Sequence, residues 1–221
     1  MNNLVLGLAS LLVATVSATP EILSPLPKAC LMRANEESCL AVKELDLTDR
    51  IDITSGNEVF ADNILLALRR LDSKPSYAQG KVDWEEVRKP FEAKFILLPG
   101  QVFAFHANLL PEFKGQVVQT LNSKFYTDEG YKSFAGLGGN GVCHLASLID
   151  WAAKDAGLET TSKVDHDFYP VPGVPREHGV SINSHSAMQN LYVKNNRSNP
   201  VVFQFDTTQE KVIFRILDKL P

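Results

Sequence analysis

The chain has 221 residues, of which 44% are hydrophobic and 22% charged, and its formal net charge is −4. That length and balance permit one sizeable globular core and exclude a low-complexity or disordered chain. The slight acidity, with no basic run anywhere, argues against a nucleic-acid partner.

Residues 4–18, LVLGLASLLVATVSA, form an uncharged apolar run ending in Val16-Ser17-Ala18 and followed by Thr19-Pro20. This pattern predicts a secretory signal, residues 1–18, cut after Ala18. The run is shorter than the roughly 20 residues a spanning helix needs. The preceding MNN carries no Lys or Arg, so an uncleaved anchor and a buried N-terminal helix are the alternatives. An uncleaved segment is the one expected route to a membrane. Export makes the cysteine count informative, because three cysteines in an oxidising compartment leave one unpaired. Cys30 and Cys39, in CLMRANEESC, are close enough to bridge a small loop, which leaves Cys143 as the free thiol.

Residues 19–92 read as an N-terminal segment. An extended start carries Pro20, Pro25 and Pro27, and a short cysteine-bearing element follows. The apolar spacing of Val59, Ile64, Leu65, Leu68 and Leu71 predicts a helix over 55–73, with Asn57 as N-cap and Pro75 just past its end. Residues 74–90 predict a connection with a short helix near Trp84 to Val87.

From residue 93 to 218 the pattern is that of an α+β unit. Strands are expected at 93–98 and 102–105, and a helix over 142–156 with Gly157 at its C′ position. Three more strands are expected at 189–195, 200–206 and 211–217. In the last two, Val201, Phe203 and Phe205 alternate, as do Val212, Phe214 and Ile216, like a half-buried antiparallel pair. The expected architecture is an antiparallel sheet packed on a central helix that carries the cysteine at its N-terminus, with a small helical N-terminal segment.

The glycine-rich run GLGGNGVC, 136–143, delivers one thiol to the start of that helix. A helix N-terminus favours the thiolate through its free N–H groups and dipole, so a lowered thiol pKa is expected for Cys143. Glycines such as Gly139 let the backbone approach a substrate, and the N–H groups of Cys143 and His144 offer an oxyanion hole. Asn140 and Gly139 are accordingly candidate orienting or substrate-binding residues. The alternative is a tight turn into a packed helix with an inert, buried cysteine.

A nucleophilic cysteine needs a base. His166 is the leading candidate, on a strand expected to return along the helix, flanked by Asp165 and Asp167. His178 is placed to orient His166 or to serve as the base. His144 points about 100° away from Cys143 on the helix, toward substrate or solvent. His106 and His185 have no assigned role. No pair among Cys143 and these histidines has tight ligand spacing, so the metal signal is weak, and no nucleotide-binding fingerprint is present; no cofactor is expected. Asn196-Arg197-Ser198 is a glycosylation triplet of a kind common by chance.

Four motifs together, LPGQVFAF (98–105), GLGGNGVCHLASLIDWAAKDAGLE (136–159), DHDFYPVPGV (165–174) and NLYVKNNRSNPVVFQF (190–205), resemble the VanW family over about residues 93–217. The resemblance implies a bacterial cell-envelope protein of a family named for vancomycin-resistance clusters, some members of which are implicated as L,D-transpeptidases. It implies Cys143 as nucleophile, His166 as general base and peptidoglycan stem peptides as partners, at the cell wall, in the periplasm or on the extracellular surface. The chain departs from the family pattern at several polar positions. His144 replaces a Gln, Asp167 a Ser, and Ala104 and His106 a Ser and an Asn. His178-Gly179-Val180 stands where the family has Asp-Ala-Thr. The expected function is cysteine-dependent acyl transfer on peptidoglycan. A non-catalytic wall-binding or accessory module is the alternative, and so is a cysteine peptidase of the NlpC/P60 kind, by analogy of geometry alone.

Overall fold

The computed structural model describes residues 37–72 and 81–219. The expected signal, Cys30 and Pro75 lie outside them. Four strands make the larger sheet: β1 (Glu37–Asp46), β2 (Phe91–Leu97), β9 (Val201–Thr207) and β10 (Lys211–Lys219). Their order is β1-β10-β9-β2, antiparallel throughout. Phe95, Phe203 and Phe214 pack on its inner face, the first pair stacked with ring centroids 4.8 Å apart and the second tilted at 5.5 Å. The alternation expected for 200–206 and 211–217 is present, but β9, held between β10 and β2, buries residues of both faces. On its outer face Gln204 is anchored by Glu92 and Asp206.

A second sheet runs β4-β3-β8-β7, formed by β3 (Val102–Ala104), β4 (Val117–Gln119), β7 (Glu159–Ser162) and β8 (Leu191–Lys194). Its β3–β4 pair is parallel and the others antiparallel. Between the sheets lies α3 (Val142–Asp155), packed on β1, β10, β7 and β8 and on α1 (Thr54–Arg69). Leu145, Ala146, Leu148, Ile149, Ala152 and Ala153 of α3 are wholly buried. Truncating a residue such as Leu148 to Ala would cost about 2–5 kcal/mol through lost burial and the cavity left behind. The helix is therefore held rigidly, which fixes whatever its first residues carry.

The segment before residue 93 is built into this core rather than appended to it. β1 pairs with β10 from Glu37↔Lys219 to Asp46↔Lys211, and its Ala41 and Leu45 join the same apolar cluster as α1 and α3. β1 was not foreseen in the sequence. The helix of α1 begins after Ile53, and Asn57 does not cap it. Its Oδ1 accepts from the N–H groups of Arg50 and Ile51, closing the turn that leads into α1. The short α2 (Trp84–Arg88) is capped by Asp83, whose side chain accepts from the N–H groups of Glu85 and Glu86. α2 is tied to α1 by Arg88, which donates to both oxygens of the buried Asp62 at 2.8 and 2.7 Å. Cys39 on β1 is disulfide-bonded, while Cys143 is free.

Candidate active site

The glycine-rich run folds as a small hairpin, β5 (Ser133–Phe134) with β6 (Leu137–Gly138), and turns directly into α3. Gly141 is the N-cap, with φ +97°. A Cβ there would lie 2.6 Å from the Phe60 carbonyl oxygen. Only glycine accommodates both the left-handed conformation and that approach to α1. Gly139, at φ +68°, is also confined, since a Cβ there would lie 3.0 Å from the Phe125 carbonyl oxygen. Asn63, wholly buried on α1, donates to the carbonyls of Lys132 and Asn140 and accepts from the Lys132 N–H. Asn140 Oδ1 accepts from the Phe134 N–H at 2.9 Å. Asn140 thus orients the loop, and through it the first turn of α3.

That turn opens onto a groove of about 980 Å³ lined by the glycine loop, Arg50, Phe60, Cys143, His144, His166, Phe168, Tyr169 and the stretch 181–185. Cys143 is half-buried. Its Sγ accepts from the Ile182 N–H at 3.4 Å, and its S–H lies 3.8 Å from the Ile182 carbonyl oxygen. Ser147, one turn on, donates to the Cys143 carbonyl and accepts from the Val180 N–H, so it moors the 180–182 strip against the helix. Val142 and Leu145 donate to Gly139 and Gly141, but the N–H groups of Cys143 and His144 find no carbonyl partner among the described residues.

The electrostatics differ from the sequence expectation. Burial pushes the Cys143 thiol up from 9.0 to about 11, outweighing the N–H groups of Ile182 and of Cys143 itself, which pull the other way. The resting sulfur is a thiol. His166 is 7% exposed, and burial lowers its pKa, so the imidazole is neutral. One ring nitrogen, Nδ1, lies 2.9 Å from the Tyr169 carbonyl oxygen. A carbonyl only accepts, so Nδ1 carries the proton and Nε2 keeps the basic lone pair. The third member that orients the base is therefore a backbone carbonyl, which no side-chain motif could have revealed. Phe168, 76% exposed, packs on the His166 ring at 4.2 Å and gives the groove an apolar lip.

The other sequence candidates fall in several places. His166 sits on a loop, not on a returning strand. A single bridge, Asp165↔Val180, and the His166 N–H to the Gly179 carbonyl hold it. His144 is buried rather than solvent-facing, at 3% exposure, between Phe60 and His166. Burial, the charge of Arg50 and the neighbouring His166 push its pKa down to about 3. His178 neither orients His166 nor lines the groove. Its Nδ1 meets Asp150 Oδ2 at 3.2 Å, on the next turns of α3 beside Trp151. Asp167 is exposed outside the groove and acts on His166 only as a nearby charge. His106 is buried against the Gln189 carbonyl, and His185 stacks on Tyr126 at the far rim. Among the described residues, no cluster of three or more His, Cys, Asp or Glu is arranged to hold a metal. Arg50, Ser147 and Ile182 complete the site, and nothing in the sequence singled them out.

An α+β domain whose central helix presents a cysteine to a groove shared with a neutral histidine belongs to the broad class of cysteine-bearing α+β folds. A family model described as VanW like protein matches residues 93–217, more than half of the chain, and the chain belongs to that family. Membership associates it with cell-envelope proteins linked to vancomycin resistance. No curated protein and no solved structure matches the chain.

Proposed function

We propose that the protein is an exported cell-envelope cysteine acyltransferase acting on peptidoglycan stem peptides in the manner of an L,D-transpeptidase. One observation carries the reading. A free thiol at the N-terminus of α3 and a neutral imidazole with its basic Nε2 unblocked line the same groove. In this mechanism the S–H leaves the Ile182 carbonyl and transfers its proton to His166 as sulfur attacks an amide carbonyl. The free N–H groups of Cys143 and His144 stabilise the tetrahedral oxyanion. The imidazolium returns the proton to the departing amine, which leaves a thioester on Cys143. An acceptor amine then attacks the thioester, gives its proton to His166, and releases the new amide and the thiol. With water as acceptor the same steps make a peptidase. The disulfide at Cys39 and the apolar run at 4–18 support work in an oxidising, extracytoplasmic compartment.

A second reading, a wall-binding module, is favoured by the thiol held at about 11 and by the absence of a Sγ–His166 hydrogen bond among the described residues. Unliganded sites often hold such contacts long and tighten them when substrate binds. Purified muropeptides incubated with the protein and followed by mass spectrometry separate them. Acyl transfer gives a thioester adduct at position 143 and a new crosslinked or shortened product, both lost in Cys143→Ala. Retained peptide binding with neither adduct nor product leaves the binding module.

A further inference from the structure

Arg50 lies in the turn between β1 and α1, ahead of the family-matched span. It lines the groove together with Cys143, His144 and His166, yet only 2% of it is exposed. Its backbone N–H is satisfied by Asn57 Oδ1 at 2.6 Å. Its guanidinium is not: Nε and Nη1 are buried without a hydrogen-bond partner. Asp46 and Asp49 are near enough for their charge to be felt, but Asp46 Oδ1 is committed to the N–H and hydroxyl of Thr48, each at 2.7 Å. A guanidinium does not shed its proton, and a buried one is stabilised only when an anion meets it. A second orphan stands beside it. His144, 3% exposed, has its Nδ1 buried without a partner, and it lies within range of the Arg50 charge.

We propose that Arg50, with His144 beside it, forms a carboxylate subsite that receives the free carboxylate of the substrate's C-terminal residue, the residue that leaves when Cys143 is acylated. The placement of the reacting bond rests on the acyl-transfer reading; the recognition of a carboxylate does not. The chemistry of the pair selects this ligand. A single planar guanidinium offers paired N–H groups that match the two oxygens of a carboxylate. One positive charge balances one negative charge, whereas a phosphate dianion would leave an excess charge facing Asp46 and Asp49. The neutral His144 ring, in the tautomer that carries its proton on the unpartnered Nδ1, would supply one more donor and add no charge. The groove would then favour the terminal peptide bond of a chain over an internal one, because only the terminal residue brings a free carboxylate to that wall.

The test uses the full chain carrying Cys143→Ala, so that binding is read without reaction. The probes are the tetrapeptide L-Ala-γ-D-Glu-L-Lys-D-Ala and the same peptide with its C-terminus amidated, compared by titration calorimetry. The acid is expected to bind at least tenfold more tightly than the amide, about 1.4 kcal/mol. Arg50→Gln should abolish the difference, and Arg50→Lys should retain part of it, since it keeps the charge but loses the fork. Equal affinities, binding of neither peptide, or discrimination that survives Arg50→Gln would each overturn the subsite. The acid–amide comparison needs no change at Arg50, so a poorly folding variant does not spoil it. Mass spectrometry of the unaltered protein separates the two claims. Discrimination without an adduct at position 143 keeps the subsite and removes acyl transfer, and an adduct with equal affinities does the reverse.

Discussion

Alkylation of Cys143 offers the most direct measure of the electrostatics at the site. With its pKa moved from 9.0 to about 11, the thiol is far less ionised at neutral pH than an exposed one. At pH 7.5 the thiolate fraction falls from about 3 in 100 to about 3 in 10,000, a hundredfold loss. The more basic thiolate regains part of this, because nucleophilicity rises with pKa at a Brønsted slope near 0.4–0.5, or about eightfold over the shift. The net expectation is labelling by iodoacetamide roughly tenfold slower in the native protein than in the urea-unfolded chain. The native rate should climb close to tenfold per pH unit and keep climbing to pH 10. Intact-mass spectrometry on quenched samples reads it directly. The same shift has a stability consequence. Between pH 9 and 11 the unfolded chain has lost the thiol proton and the folded chain has kept it, so folding free energy falls with rising pH, at most by about 1.4 kcal/mol per unit. Fast labelling with a plateau below pH 8 would mean a thiolate at rest and would refute the desolvated-thiol description outright.

Three further outcomes follow from particular residues. His144 titrates near 3 when folded, so stability should decline as pH falls below about 6.5, where the unfolded imidazole takes up a proton that the folded one refuses. His144→Gln, the residue the family resemblance places there, should flatten that acid limb in pH-dependent urea melts. An unchanged limb would mean that His144 is not the buried neutral group described. Gly141→Ala places a side chain at φ +97° against the Phe60 carbonyl, costing about 1–2 kcal/mol for the conformation alone, with the backbone clash added. A melting temperature within a degree of the unaltered protein would contradict that cap geometry. Asp62→Ala strands Arg88 and Lys132, but both cations are about one-third exposed, so the loss should be nearer 1–3 kcal/mol than the 3–5 typical of a fully buried pair. Chemical denaturation at two salt concentrations measures it, and a neutral result would show that the network contributes nothing.

The sequence made local elements legible and left non-local ones hidden. α1, α3, β2 and β10 carry clean periodicity because each buries one face or one stripe, and β8 and β9, buried on both faces, read as short apolar runs. β1 escaped because ESCLAVKELD mixes charges into its alternation, and the partner that gives it meaning, β10, lies some 170 residues away. The thiol and imidazole were legible as residue types, since a glycine run ending in a cysteine at a helix start is a rare local pattern. Their protonation states were not, because desolvation depends on what packs around them: Phe60 from α1, and the 180–182 strip moored by Ser147. His178 was misplaced for a related reason. Asp150, buried on α3, is what holds His178, and only the packing of the helix shows that it faces inward. Arg50 gave no signal at all; a lone arginine in a polar turn becomes notable only when its burial and its missing partners are visible.

A low-pKa cysteine sits ready as an ion pair with its histidine; this site is arranged the other way. Thiol and imidazole are both neutral at rest, and the groove wall carries the buried guanidinium of Arg50, whose Nε and Nη1 have no hydrogen-bond partner among the described residues. Burial, and after it that cation, holds the pKa of His144 down. A carboxylate placed on Arg50 would offset the positive field, so a proton taken up at His144 would no longer meet a bare cation. In the acyl transfer proposed above, the imidazolium at His166 would form with its ring centroid 6.0 Å from that of His144, so a ligand on Arg50 would act on it through that neighbour. Under that proposal, the ligand that fits the subsite also offsets the cation that opposes protonation of His144. In the oxidising compartment proposed above, a sulfur that stays protonated at rest would also be slow to oxidise.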